Sequence, residues 1–194
     1  MHRGNNRMPI FGDDTDRELF LVWFERAMSR NKVAVHAVTL MSNHYHAIVT
    51  PPSEAALPNT MRQLGTRYTQ HFNHRYDRIG TLWAGRYRAI AIGDEDYFWC
   101  CLRYVELNPL RAQMVRDPAE YRWSTYRVHA SGDSLDWLVE HPLYTALGKS
   151  TSERQAAYRV LCDQPLAEAD LLRQRTARQD HPATLRPMWQ TVAA

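Results

Sequence analysis

Cysteine is scarce in this 194-residue chain, and lysine is scarcer still. The three cysteines, Cys100, Cys101 and Cys162, include an adjacent pair and form no Cys-x-x-Cys. That excludes a disulfide framework and a cysteine-rich zinc site, and it suits a reducing compartment. They read as small buried hydrophobes. No apolar run approaches the roughly 20 residues that a membrane-spanning helix needs, so no membrane contact is expected. Residues 1–8 are polar and basic and lack the apolar stretch of a secretory signal. A cytoplasmic location is therefore expected. No internal repeat or low-complexity tract is visible. The only lysines are Lys32 and Lys149, so nearly all the positive charge behind the net +3 is arginine. Arginine forks onto phosphate and stacks on bases, which points weakly to nucleic acid. A codon bias toward arginine explains it equally well.

What is present is an ordinary globular composition, 44% hydrophobic and 23% charged. Asp14 to Arg30 carries Leu19, Phe20, Trp23, Phe24, Ala27 and Met28 at helical spacing, with Asp13 or Asp14 as cap. Residues 33–41 and His44 to Thr50 read as two strands of an antiparallel hairpin turning at Ser42-Asn43. Glu54 to Arg78 is helical, with a Met61, Leu64, Tyr68, Phe72, Tyr76 stripe and a basic flank that includes Arg67 and Arg75. A short strand is expected at Ala89 to Ile92. Asp94 opens another helix that stops before Pro109, followed by a short turn over 110–115. The aromatic segment 121–126 should pack back on the core, and helices are expected near 151–161 and 166–178. The order is most of a ferredoxin-like βαββαβ unit, an α+β palm with an antiparallel sheet. Its opening strand is either short and irregular, or the sequence starts late. The division expected is a palm over 1–130 and a mostly helical extension over 131–194.

Val38 to Thr50 holds the chemistry. Side chains alternate along a strand, so His44 and His46 share one face and Tyr45 takes the other. Two imidazoles about 6–7 Å apart along a strand face can grip one divalent cation. A His-x-His pair alone is a weak signal, and packed or solvent-facing histidines are the commoner outcome. Position 48 is Ile, so there is no third histidine. Further on, Tyr104 and Asn108 stand four apart before Pro109 and share a face if that stretch is helical. An amide oxygen on Asn108 suits Mg²⁺ or Mn²⁺ better than zinc. A tyrosine has a reference pKa of about 10, and a cation on a scissile phosphate would offset the cost of using it as a nucleophile. Tyr97 is the rival nucleophile, disfavoured by three neighbouring acids. Arg67 and Arg75, with Arg86 and Arg88 beside Trp83 and Tyr87, are candidate contacts to a nucleic-acid backbone. A solvated helix face and a plain strand entry account for them as well.

Four stretches in order carry a resemblance: Arg3-Gly4-Asn5-Asn6-Arg7, Leu40-Met41-Ser42-Asn43-His44-Tyr45-His46, Gly80 to Tyr87, and Arg103 to Ala112. Over roughly residues 3–130 the chain resembles the REP-associated tyrosine transposases. These are single-strand HUH transposases of the insertion-sequence-200-like group with one catalytic tyrosine. The resemblance implies that the palm recognises a DNA hairpin and cuts adjacent single-stranded DNA. His44 and His46 match the metal-binding pair, and Asn108 the polar residue that completes the site. Tyr104 matches the nucleophile, which forms a 5′-phosphotyrosine and frees a 3′-OH that later attacks the linkage. Mg²⁺ or Mn²⁺ is the implied cofactor, and a homodimer a common assembly. Arg3, Asn5 and Arg7, in the first motif, join the candidate DNA contacts. The family usually has Pro where this chain has Ser42, so a looser turn is expected there. Its first strand precedes the Arg3 to Arg7 segment. Three readings follow: a metal-dependent strand-cutting transposase, a domesticated or inactive hairpin-binding protein, and a structural metal site in an unrelated binding module.

Overall fold

The computed structural model describes residues 1–165; the helix expected over 166–178 lies outside them. The elements follow in order as β1 (His2–Arg3), α1 (Asp14–Arg30), β2 (Ala34–Leu40), β3 (His44–Thr50) and α2 (Ala56–Arg75). Then come α3 (Glu95–Glu106), α4 (Asn108–Arg111), α5 (Tyr126–Ser131), α6 (Pro142–Thr145) and α7 (Thr151–Asp163). The three strands form an antiparallel sheet in the order β1-β3-β2. The first strand is present but only two residues long, pairing His2 with Tyr45 and Arg3 with His44.

Alternation along β3 divides the molecule into two cores. Tyr45 turns toward α1 and α2, where its ring lies 4.9 Å from Phe20 and its hydroxyl meets Met61 Sδ at 3.6 Å. Ile48 turns the other way, into a cluster with Phe98, Leu102 and Val105 of α3 and with Tyr126, Tyr144 and Tyr158. β2 keeps the same division through a bulge. Val35 packs with the α1–α2 side and Ala37 with the α3 side, because the register shifts between them. Without that extra residue both would face the same core. The boundary read from the sequence at 130/131 falls inside α5, and residues 142–158 share a core with α3.

Local chemistry sets most element ends. Asp13 caps α1 by accepting from Asp16 N at 3.1 Å, and Asp94 caps α3 by accepting from Tyr97 N at 2.7 Å. α7 starts at a capping box of Ser150 and Glu153.

The expected strand at Ala89–Ile92 is not formed. Residues 82–88 lie beside β1 instead: Asn5 N donates to Leu82 O, Ala84 N to Arg3 O and Arg88 N to Met1 O. Gly85, at φ 134°, interrupts that pairing. The isoleucines of 89–92 suggest a strand, but residues 82–88, earlier in the chain, already occupy the place beside β1. On the opposite edge, the 121–126 segment covers β2 as expected. Leu40 N donates to Trp123 O at 2.9 Å, Thr125 N to Val38 O at 3.0 Å, and the Tyr121 hydroxyl to Leu40 O at 2.7 Å. Among the described residues no helix is long and apolar enough to cross a membrane.

Candidate metal and tyrosine centre

β3 presents His44 and His46 on the face that looks toward α3. Their ring centroids lie 5.0 Å apart at 81°, closer than the strand spacing alone suggests. His46 is buried, opposite Thr39 in the sheet, and His44 is half-buried. α3 crosses this face because Phe98, Leu102 and Val105 form one apolar stripe that seats against Ile48 and Ala37. That seating delivers Tyr104 to the histidines: its ring centroid stands 5.5 Å from that of His46, edge-on at 79°. Tyr97, buried two turns earlier, is about 10 Å further back along the helix axis.

Tyr104 and Asn108 do not share one uninterrupted helix. α3 ends at Glu106, and Asn108 opens α4 after the bend at Leu107. Pro109 has no N–H to give Val105 O and its ring crowds that carbonyl, so the ladder breaks there. The chain does not stop being helical at Pro109, however, because Pro is accepted in a first turn. This bend brings in a residue that sequence reasoning missed. The Arg111 guanidinium sits 4.7 Å above the Tyr104 ring. The seven-residue spacing is legible in the sequence, but a proline at 109 predicts the end of the helix.

Two more residues were missed. Asn43, in the hairpin turn, has its side-chain oxygen 2.7 Å from His44 Nδ1 and its amide nitrogen 2.9 Å from Arg7 O. Glu106 is wholly buried on α3 and accepts hydrogen bonds from Thr125, His129 and Tyr158. Nothing in the run Val105-Glu106-Leu107 announced a buried carboxylate. The turn itself is tight rather than loosened by Ser42. Met41 N donates to His44 O at 2.8 Å, and the 4–10 segment holds the turn from outside through Gly4 N to Asn43 O and Ile10 N to Ser42 O.

The candidate basic residues fall into separate places. Arg3 pairs with His44 across β1 and β3, Asn5 and Arg7 follow in the next turn, and Arg86 and Arg88 are exposed on the segment beside β1. These five lie at one edge of the sheet. Arg67 and Arg75 are on α2, across the sheet from the histidines. Arg67 is exposed with its guanidinium 5.8 Å above Trp23. Arg75 is engaged inside the fold: it meets Asp13 Oδ2 at 2.5 Å and Asp16 Oδ1 at 2.5 Å. Two aspartates of the α1 N-terminus occupy the Arg75 fork, on the side of the sheet away from the histidines.

The donor set near Tyr104 is poor in carboxylates. Among the described residues no group of three or more His, Cys, Asp or Glu could hold a metal. Two imidazoles with an amide oxygen would bind a divalent cation incompletely, leaving positions for phosphate oxygens and water. His44 and His46 fit two positions of such a cation, and Asn108 opens the adjoining α4.

The family model described as IS200-like transposase matches residues 1–108. No curated protein matches the chain. A solved structure of a REP-associated tyrosine transposase bound to a REP hairpin superposes with a TM-score of 0.52 at 15% identity, over 72% of this chain and 88% of that one. At that identity the likeness establishes a shared fold.

Proposed function

Because the chain belongs to the IS200-like transposase family, we propose that it cuts and rejoins single-stranded DNA beside a hairpin, with Tyr104 as the nucleophile. The observation that carries this reading is the approach of the Tyr104 ring to His46, 5.5 Å between centroids, from an element far along the chain. His44, His46 and the side-chain oxygen of Asn108 would hold Mg²⁺ or Mn²⁺. When bound, such an ion draws charge from the scissile phosphate and orients it.

The chain's own residues do the rest. The Tyr104 oxygen attacks phosphorus and gives up its proton to water. A Tyr104 O–P bond forms while the P–O3′ bond breaks, and the departing O3′ takes a proton from water. The product is a 5′-phosphotyrosine and a free 3′-OH. One phosphodiester replaces another, so the linkage keeps its energy for the reverse attack by a 3′-OH. Arg111 above the ring places a fixed cation beside the incoming phosphate. Arg3, Asn5, Arg7, Arg86 and Arg88, gathered at the β1 edge, would track the DNA backbone, and a hairpin is the partner of the similar structure. A homodimer is the assembly this reading carries with it.

The test is a denaturing gel of the protein incubated with hairpin-bearing single-stranded DNA and Mg²⁺ or Mn²⁺. A covalent adduct that vanishes in Tyr104→Phe supports the reading. An adduct that persists in Tyr104→Phe removes Tyr104. Hairpin binding without any adduct in either protein favours a domesticated binding protein instead.

A further inference from the structure

The turn between β2 and β3 contains a hydrogen-bond relay with only one consistent assignment of its protons. Its outer end is the Arg7 carbonyl, which can only accept. The group 2.9 Å from it on Asn43 must therefore be the amide nitrogen. That fixes the orientation of the amide and turns its oxygen toward His44. An amide oxygen also only accepts, so the His44 Nδ1 at 2.7 Å must carry a proton. A neutral imidazole protonated on Nδ1 has its lone pair on Nε2.

We propose that Asn43 is a positioning residue that holds His44 as the Nδ1–H tautomer, so that Nε2 is the nitrogen offered to a metal. The carbonyl that sets this relay belongs to an unusual backbone. Asn6 and Arg7 sit side by side at φ 50° and 58°, a region non-glycine residues enter at a cost. Backbone bonds from Gly4 N to Asn43 O and from Met8 N to Asn5 O hold that conformation. The Arg3 to Arg7 segment thus does more than border the site: it aims the Arg7 carbonyl that orients Asn43, which orients His44. Ligating histidines are usually fixed by a partner on the other ring nitrogen, and loss of that partner costs metal affinity about 10–100-fold. Here an amide does this, so the site gains no negative charge.

The inference rests on the metal-site reading above, and its main readout is independent of it. Long-range ¹H–¹⁵N correlation spectra of metal-free, histidine-labelled protein, taken at alkaline pH, report the tautomer directly. The wild type should show His44 protonated on Nδ1 alone. Asn43→Ala should release the ring to a mixture. Asn43→Asp keeps an acceptor toward Nδ1 and should restore the single tautomer while losing the donor to Arg7. A second readout, Mn²⁺ affinity from the paramagnetic signal of the free ion, should fall about 10–100-fold in Asn43→Ala and recover in Asn43→Asp. A folded Asn43→Ala with the wild-type tautomer, or a wild type protonated on Nε2, would overturn the proposal. If the tautomer responds as stated but neither wild type nor His44→Ala binds Mn²⁺, the relay stands and the metal-site reading fails.

Discussion

The carboxylate of Glu106 accepts a hydrogen bond from His129 Nδ1 at 2.8 Å, in a wholly buried pocket two residues past Tyr104. Thr125 and Tyr158 donate to the same carboxylate at 2.5 and 2.7 Å. At about 100° per residue, Glu106 lies on nearly the opposite side of α3 from Tyr104. It anchors the tyrosine helix from behind, to α5 and α7, and the Thr125 hydroxyl also accepts from the β2 amide Val38 N at 3.1 Å.

Removing that anchor should cost more than any surface change. Glu106→Ala leaves a buried imidazole and two hydroxyls without their acceptor, so stability should fall by about 3–5 kcal/mol. Glu106→Gln keeps one oxygen acceptor and should lose less. Urea unfolding of the two variants checks the order; equal stability of Glu106→Ala and wild type would remove the anchor.

His129 should make stability depend on pH. Burial alone pushes its imidazole down, but the charge and hydrogen bond of Glu106 more than offset this, and the net shift is upward. A group raised in the folded state contributes fully below its unfolded value, about 6.5, and the contribution is lost as pH rises through the folded value. The wild type should therefore lose stability on the alkaline side of that window. His129→Gln should show a flatter limb there, measured as midpoint shifts in urea across the pH range.

Asp16 predicts the opposite limb. Burial raises it, but hydrogen bonds from Gly12 N, Tyr76 and Arg75 and the Arg75 charge outweigh burial, and the net shift is downward. Its contribution is complete above about 3.9 and disappears as pH falls through the lower folded value. Asp16→Asn should be less stable at neutral pH and should lose less on acidification. Parallel acid limbs in the two proteins would contradict the ion pair seen with Arg75.

Arg75 and the edge arginines should separate by assay. Arg75→Ala should lower stability and leave the DNA affinity of the folded protein unchanged, because its fork is bound to Asp13 and Asp16. Arg86→Ala should leave stability alone and weaken DNA binding, lowering the salt slope by about 1. Fluorescence anisotropy at several salt concentrations distinguishes the two patterns.

Arg111 should matter to the reaction and Tyr97 should not. A cation 4.7 Å above the Tyr104 ring stands where charge develops on the attacked phosphate, so Arg111→Ala should form adduct more slowly than the wild type. Tyr97→Phe should still form it at a normal rate. Single-turnover adduct formation reads both, and a dead Tyr97→Phe with a live Tyr104→Phe would exchange their roles.

By itself the sequence determined what depends on a few neighbouring residues. Period-two alternation put His44 and His46 on one face with Tyr45 on the other, as the two cores of the sheet show. Helical spacing and an aspartate cap placed α1 at Asp14–Arg30, because capping and amphipathicity act within one or two turns. The motifs in register were enough to indicate the family. The tertiary structure decided everything that joins distant residues. Which segment fills the place beside β1 depended on how far the chain reaches after α2, so 82–88 took it and 89–92 did not. Whether an arginine faces solvent or an acid depended on α1 packing against α2, which bound Arg75 to Asp13 and Asp16. The approach of Tyr104 to His46 and the Glu106 anchor arise from side chains brought together by burial of separate apolar faces, and the Asn43 relay from the 4–8 backbone laid against the hairpin turn. Periodicity shows which face each element buries, but only packing decides which two faces meet.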